Sequence, residues 1–317
     1  MRGCSLALVL VLASVLASAA PGRRSPKTPR PAPATPKPTP AAPAPAAPRP
    51  TPSPPKPAPA PPSTPAERTP SSSSTESRRE GAILLDASLG AASLLRLLRY
   101  SDDLFGALRE YTLPASALGA LHVEAWPAAR RGGALSHLGL TASAEQSFLL
   151  KSGPKNGPSF STNSQRITLG LAGRLPVRSA ELTLSAAYGW QDFSIGGEDD
   201  PARPDIPNVT YRFLRAGAGL RMEVKPRLAV LASAAYLHVL DSGHIATSDY
   251  FPRLTVAGVE AGAGAAWQFS APWEVRAGVD YRRYFFSMHP EPGDPFIAGG
   301  ALDHYVVATL ALGLRLR

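Results

Sequence analysis

Between residues 81 and 317 the chain alternates apolar and polar side chains in ten successive segments, joined by links that are long and short in strict turn. Alternation with period two puts one residue set on each face of a strand. Arg276-Ala277-Gly278-Val279-Asp280-Tyr281-Arg282 is one such segment, and Leu310-Ala311-Leu312-Gly313-Leu314-Arg315-Leu316-Arg317 is another. Ten strands with unequal connections at their two ends are what an up-and-down barrel in an outer membrane requires. The expected fold is therefore all-β: a roughly ten-stranded antiparallel transmembrane β-barrel.

The strands are expected near 82–95, 115–126, 135–150, 165–175, 180–193, 209–223, 228–240, 253–268, 273–286 and 302–316. Short turns fall near Pro127–Gly133, Pro176–Ser179, Lys225–Arg227 and Ser270–Pro272. Long loops fall near 96–114, 151–164, 194–208, 241–252 and 287–301. An even strand number leaves both termini on the short-turn side, which is periplasmic in outer-membrane barrels.

The faces separate by parity. Leu169 and Leu171 oppose Arg166 and Arg174; Leu182 and Leu184 oppose Glu181 and Thr183; Val275 and Val279 oppose Glu274, Arg276, Asp280 and Arg282. Apolar residues should meet lipid and polar ones the lumen. Ten strands enclose little more than their own side chains, and an unpaired charge in a dry interior is very costly. Arg166, Arg174, Glu181, Arg215, Arg221, Glu223, Glu260, Glu274, Arg276, Asp280, Arg282 and Arg315 are therefore candidates for a lumen ion-pair network, with Asp86, Glu124 and Glu145 of the same inward parity. Such a network closes the lumen; the alternative is a narrow water-filled path. Trp126, Trp190, Tyr211, Phe213, Trp267, Phe269, Trp273, Tyr284, Phe285 and Phe286 lie near strand ends, where interfacial aromatic girdles sit.

The first nineteen residues read as an export signal: Arg2, an apolar core from Leu6 to Leu16, and the small residues Ala17-Ser18-Ala19. That core is too short to span a bilayer. Cys4 is the sole cysteine and precedes it, so the exported chain would have no thiol chemistry. Residues 20–80 read as a basic Pro/Ala/Ser-rich linker. Proline gives no backbone donor and holds a polyproline II-like φ, and such a segment buries too little to fold. At about 3.1 Å per residue, the fifty proline-rich residues 21–70 would reach roughly 150 Å into the periplasm.

The net charge of +9 belongs to this leader. Residues 1–79 hold 11 basic residues against Glu67 and Glu76, while 80–317 hold 22 of each sign. A nucleic-acid interface needs basic residues clustered on a folded domain, so none is expected.

Histidines and acids near the strand ends invite a catalytic reading. Asp303-His304 adjoins His289, Glu291 and Asp294, and Asp241, His244 and Asp249 share one loop. Two such residues can activate water, but no motif goes beyond residue type. Glu198-Asp199-Asp200-Pro201 through Asp205 is acidic without the spacing of a calcium loop. His122 and His238 read as lumen or rim packing. No catalytic residue, metal or cofactor is expected.

Ser101-Asp102-Asp103-Leu104-Phe105-Gly106, Tyr111-Thr112-Leu113-Pro114, Val209-Thr210-Tyr211-Arg212-Phe213 and Pro290-Glu291-Pro292-Gly293-Asp294 with Ala298-Gly299-Gly300-Ala301-Leu302-Asp303 resemble runs in the uncharacterised outer-membrane β-barrel proteins common in myxobacteria. The resemblance covers most of 81–317. It implies fold and location and brings no functional residues. The expectation is a structural or interaction role in the outer membrane, as envelope anchor or surface-loop presenter, with outer-membrane lipid and lipopolysaccharide as partners. The arm would meet cell wall or a periplasmic protein. A narrow channel is the alternative and a rim hydrolase the distant one. The chain's terminal Arg317 and alanine-rich apolar face keep a soluble periplasmic all-β domain as the runner-up fold.

Overall fold

The computed structural model describes residues 82–317, apart from 132, 154–156, 178 and 197–199. The export signal and proline-rich linker lie outside the described residues.

Ten long strands make the wall. They are β1 (Leu85–Ser101), β2 (Tyr111–Ala125), β3 (Leu138–Ser147), β5 (Phe160–Val177), β6 (Ala180–Ile195), β7 (Val209–Lys225), β8 (Leu228–Asp241), β9 (Thr255–Ser270), β10 (Trp273–Ser287) and β11 (Gly300–Leu316). The two-residue β4 (Lys151–Ser152) pairs on β5 beyond the end of β3. Each long strand is antiparallel to its chain neighbours, β1 pairs with β11, and β3 with β5, so the ring closes and no edge runs its full height. Leu85 lies opposite Leu316, which puts the start of β1 and the end of β11 at one end of the barrel. The links 178–179, 226–227 and 271–272 share this turn end with the longer 126–137. The loops 102–110, 148–159, 196–208, 242–254 and 288–299 crown the opposite, loop end.

Several boundaries differ from the sequence expectation. β1 runs six residues past 95, because Leu94-Leu95-Arg96-Leu97-Leu98 is apolar on both faces and alternation vanishes without the strand ending. β5 starts at Phe160, not 165. β3 is shorter at both ends. A 3-10 turn, Ala134–His137, precedes it. Leu149 (φ 54°) breaks the extended backbone after it, a conformation that most side chains avoid.

The parity reading matches the wall. Leu89, Leu140, Leu169, Leu171, Leu184, Leu214, Leu310 and Leu312 are exposed on the outer face. The aromatics divide. Trp190, Trp267, Phe269, Trp273 and Phe285 are exposed outward, as a girdle requires. Trp126, Tyr211, Phe213, Tyr284 and Phe286 are buried, so their girdle assignment is corrected. They share inward parity with Glu124, Arg215 and Arg282.

Candidate functional site

The lumen is layered. At the loop end, β1 and β11 place Arg96 opposite Tyr305, two residues from Asp303. Arg96 donates from Nε to Asp303 Oδ1 and from Nη2 to Oδ2, both at 2.9 Å. The hydroxyls of Tyr211 (2.6 Å) and Tyr305 (3.0 Å) donate to Asp303 Oδ2. Arg96 and Asp303 are both 0% exposed. The guanidinium lies 4.0 Å from the Phe193 ring centroid. Tyr211 and Tyr284 stack with centroids 3.9 Å apart. Around them pack Leu94, Leu98, Leu113, Phe213 and Leu237 from the wall, with Ile206, Ile245, Phe251 and Met288 from the loops. The loop end of the lumen is an apolar core with one ion pair at its heart.

Deeper in, Glu260 of β9 takes Arg166 from β5 and Arg215 from β7, the latter from Nε at 2.7 Å. Arg282 of β10 bonds Glu145 of β3 and lies 3.7 Å from Glu260. A second layer lies toward the turn end. Glu274 accepts both Nη groups of Arg221 (3.0 and 2.7 Å) and Nε of Arg276 (2.6 Å). Arg276 also bonds Asp86, and Arg315 reaches Glu181 at 3.0 Å and Asp86 at 3.6 Å. Arg174 then stacks over Trp126 (4.4 Å) and donates to the Ile83 carbonyl at 3.1 Å. A cavity of about 400 Å³ is lined by residues of both charge layers and by Ser88, Thr168, Thr183, Ser185 and Ser233.

Nine of the twelve expected lumen residues thus meet an opposite charge. Arg174 meets an aromatic face and a carbonyl instead. Asp280 lines the cavity, is exposed within it, and forms no ion pair among the described residues. Glu223 is corrected: it shares the inward parity but sits at the exposed last turnward stretch of β7, outside the network, with no ion pair among the described residues. Arg96 was missed because it was read as loop.

The rim groups do not assemble. Consecutive strand residues face opposite ways, so Asp303 points inward while His304 points outward, joined to Tyr281 Oη at 2.6 Å. Asp294 takes Arg253 and the Glu291 backbone N–H (2.8 Å), which hold its carboxyl below the usual range. His244 stands 3.8 Å from Asp249, both exposed. Burial and a hydrogen bond to Asp205 (3.0 Å) push the Tyr250 hydroxyl up to about 12. His122 faces the lumen, 3.6 Å from Glu124. His238 is corrected: it is exposed on the outer wall, opposite Leu214. Among the described residues no group of three His, Cys, Asp or Glu is placed to hold a metal ion. Glu198 and Asp199 of the acidic loop lie outside them.

No protein-family model and no curated protein matches this chain. Solved structures similar to it include the translocator domain of the autotransporter NalP from Neisseria meningitidis (12% identity, TM-score 0.39, 76% of this chain and 92% of that one). Ail, the attachment invasion locus protein of Yersinia pestis, in complex with the heparin analogue sucrose octasulfate, is another (9%, 0.32, 74% and 99%). A FadL homologue of Pseudomonas aeruginosa is a third (9%, 0.30, 75% and 91%). Likeness at this level carries no function.

Proposed function

We propose that this chain is an outer-membrane barrel with a structural or interaction role, an envelope anchor that presents its loop end outside the cell. The outer face supports the membrane. It carries exposed leucines on strands around the ring, with Trp267, Phe269 and Trp273 towards the turn end and Trp190 and Phe285 towards the loop end. A monomeric soluble protein rarely exposes an apolar patch of more than a few hundred Å², so a band of this kind disfavours the soluble periplasmic alternative. On this proposal the proline-rich arm, which precedes the start of β1 at the turn end, lies in the periplasm, with cell wall or a periplasmic protein within its reach.

One observation carries anchor over channel: the dry plug around Arg96 and Asp303. A permeating ion would have to enter an apolar core and disturb a pair whose carboxylate has no free oxygen. The cavity beneath keeps a narrow channel as the second reading, since charged and hydroxyl side chains line it as they would one half of such a path. A rim hydrolase finds no support in the separated Asp303 and His304.

Planar-bilayer conductance of the purified full chain, after heat-modifiable gel mobility has shown a folded barrel, tests this. The expected result is a folded and silent barrel. Discrete conductance steps would put the channel first.

A further inference from the structure

Cations are costly on the lipid face of a barrel, and the cost falls towards the interfaces. The loop-ward ends of β1, β10 and β11 nevertheless carry three basic side chains together on that face. Arg283 pairs directly across the ladder with His304. His304 pairs on its other side with Leu97, and Arg99 is the next residue of the same face. Diagonal neighbours of this kind lie about 7–8 Å apart. Their height is informative. Ten residues separate Arg283 from the girdle residue Trp273 on β10. At about 3.3 Å per residue and a tilt of roughly 40°, that is about 25 Å, the height of the apolar band. The cluster sits where hydrocarbon gives way to headgroups.

Its present contacts set a single, exposed carboxylate against these basic groups. The Arg283 guanidinium lies over the Phe285 ring at 4.7 Å and bonds the Tyr281 side chain, while its Nε is buried without a hydrogen-bond partner. Tyr281 holds the His304 ring through Nδ1. Arg99 stands 3.8 Å from Glu110, both about half exposed; such a pair is worth little. Behind the wall, the Asp303 carboxylate is committed to Arg96. Guanidinium groups match phosphate oxygens with paired donors.

We propose that Arg99, Arg283 and His304 form an outward-facing site for a phosphate carried by an outer-leaflet glycolipid of the lipopolysaccharide type. The site rests on the outer-membrane reading above. Arg212 is its control: it faces outward towards the loop end of β7, 3.8 Å from Asp241, with Trp190 opposite it and His238, not an arginine, as its diagonal neighbour on that face.

The test uses the full chain in phosphatidylcholine nanodiscs doped with a bisphosphorylated glucosamine lipid, retention being read by native mass spectrometry. Surface cations contribute about fivefold each near an anionic lipid surface, so Arg99→Gln with Arg283→Gln should weaken retention about 25-fold. Arg212→Gln should leave it unchanged, and Arg283→Lys should lose less than Arg283→Gln. Heat-modifiable mobility confirms that each variant is folded. Equal retention by the double variant overturns the site, as does an equal loss on Arg212→Gln. Displacement by inorganic phosphate at comparable concentration overturns the lipid as its source. A chain that does not enter nanodiscs overturns the outer-membrane reading and this site with it; one that enters and fails the other arms overturns the site alone.

Discussion

The two halves of the lumen handle charge differently. At the loop end a single ion pair is enclosed by aromatic and aliphatic side chains, and Asp303 accepts four hydrogen bonds. Towards the turn end charges form a branched network beside a polar cavity, and Asp280 goes without an ion pair among the described residues. Burial sets how completely a charge must be satisfied. A dry carboxylate needs every lone pair engaged, whereas one facing hydrated space can rely on water.

Removing half of the dry pair should have the largest effect. Asp303→Ala strands the Arg96 guanidinium and should destabilise the barrel by about 3–5 kcal/mol, read from the urea midpoint of the folded gel band. Replacing both, as Arg96→Met with Asp303→Leu, should recover only part of that loss: no buried charge is left, but the Tyr211 and Tyr305 hydroxyls lose their acceptor. Glu260→Gln is the matched change in the wet half. It weakens contacts to Arg166 and Arg215, but it keeps a side chain of the same shape that can still accept from them, so about 1–3 kcal/mol is expected. If Glu260→Gln costs as much as Asp303→Ala, the contrast between the halves fails. Asp280→Asn sharpens it from the other side: a carboxylate already facing the cavity should change stability by no more than about 0.5 kcal/mol.

Packing rather than charge is probed at Gly189. It lies opposite Phe213 on β7, whose ring covers it so closely that a Cβ would collide. Gly189→Ala should cost about 1–3 kcal/mol through overpacking of the plug. The same substitution at Gly219, turnward on β7 and with no neighbour nearer than 3.9 Å to an added Cβ, should be nearly silent. Chemical denaturation of the two variants side by side checks the difference.

The wet half was legible in the sequence and the dry half was not, for a physical reason. Alternation is visible only where one face is apolar and the other polar, as in Glu274 to Arg282. Once the lumen itself becomes apolar, as along Leu94 to Leu98, the pattern disappears while the strand continues. Arg96 therefore read as loop. The aromatics carried a usable signal that proximity to strand ends obscured. Tyr211 and Phe213 are spaced by two from Arg215, and Tyr284 and Phe286 by two from Arg282, so parity assigns all four to the lumen. Strand parity also separates Asp303 from His304. What no one-dimensional pattern contains is the partner across the barrel: Glu260 with Arg166, 94 residues apart, follows only from ring closure.

The smallest expected effect lies outside the barrel, in the loop that joins β10 to β11. Asp294 is held below the usual carboxylate range by the Glu291 amide and by Arg253. A depressed pKa means that the folded loop favours the ionised form. Its contribution is present above the ordinary carboxylate pKa of about 3.9 and is lost as pH falls through the lowered value. Protection of the Glu291 amide from hydrogen exchange should accordingly persist through neutral pH and fall only below about pH 4. Arg253→Gln removes one of the two supports and should move that loss to higher pH, while the ladder amides of β10 and β11 stay protected. A Glu291 amide equally protected at every pH would mean that the loop is held by packing, through Phe296 against Tyr250 and Phe251, and not by this carboxylate.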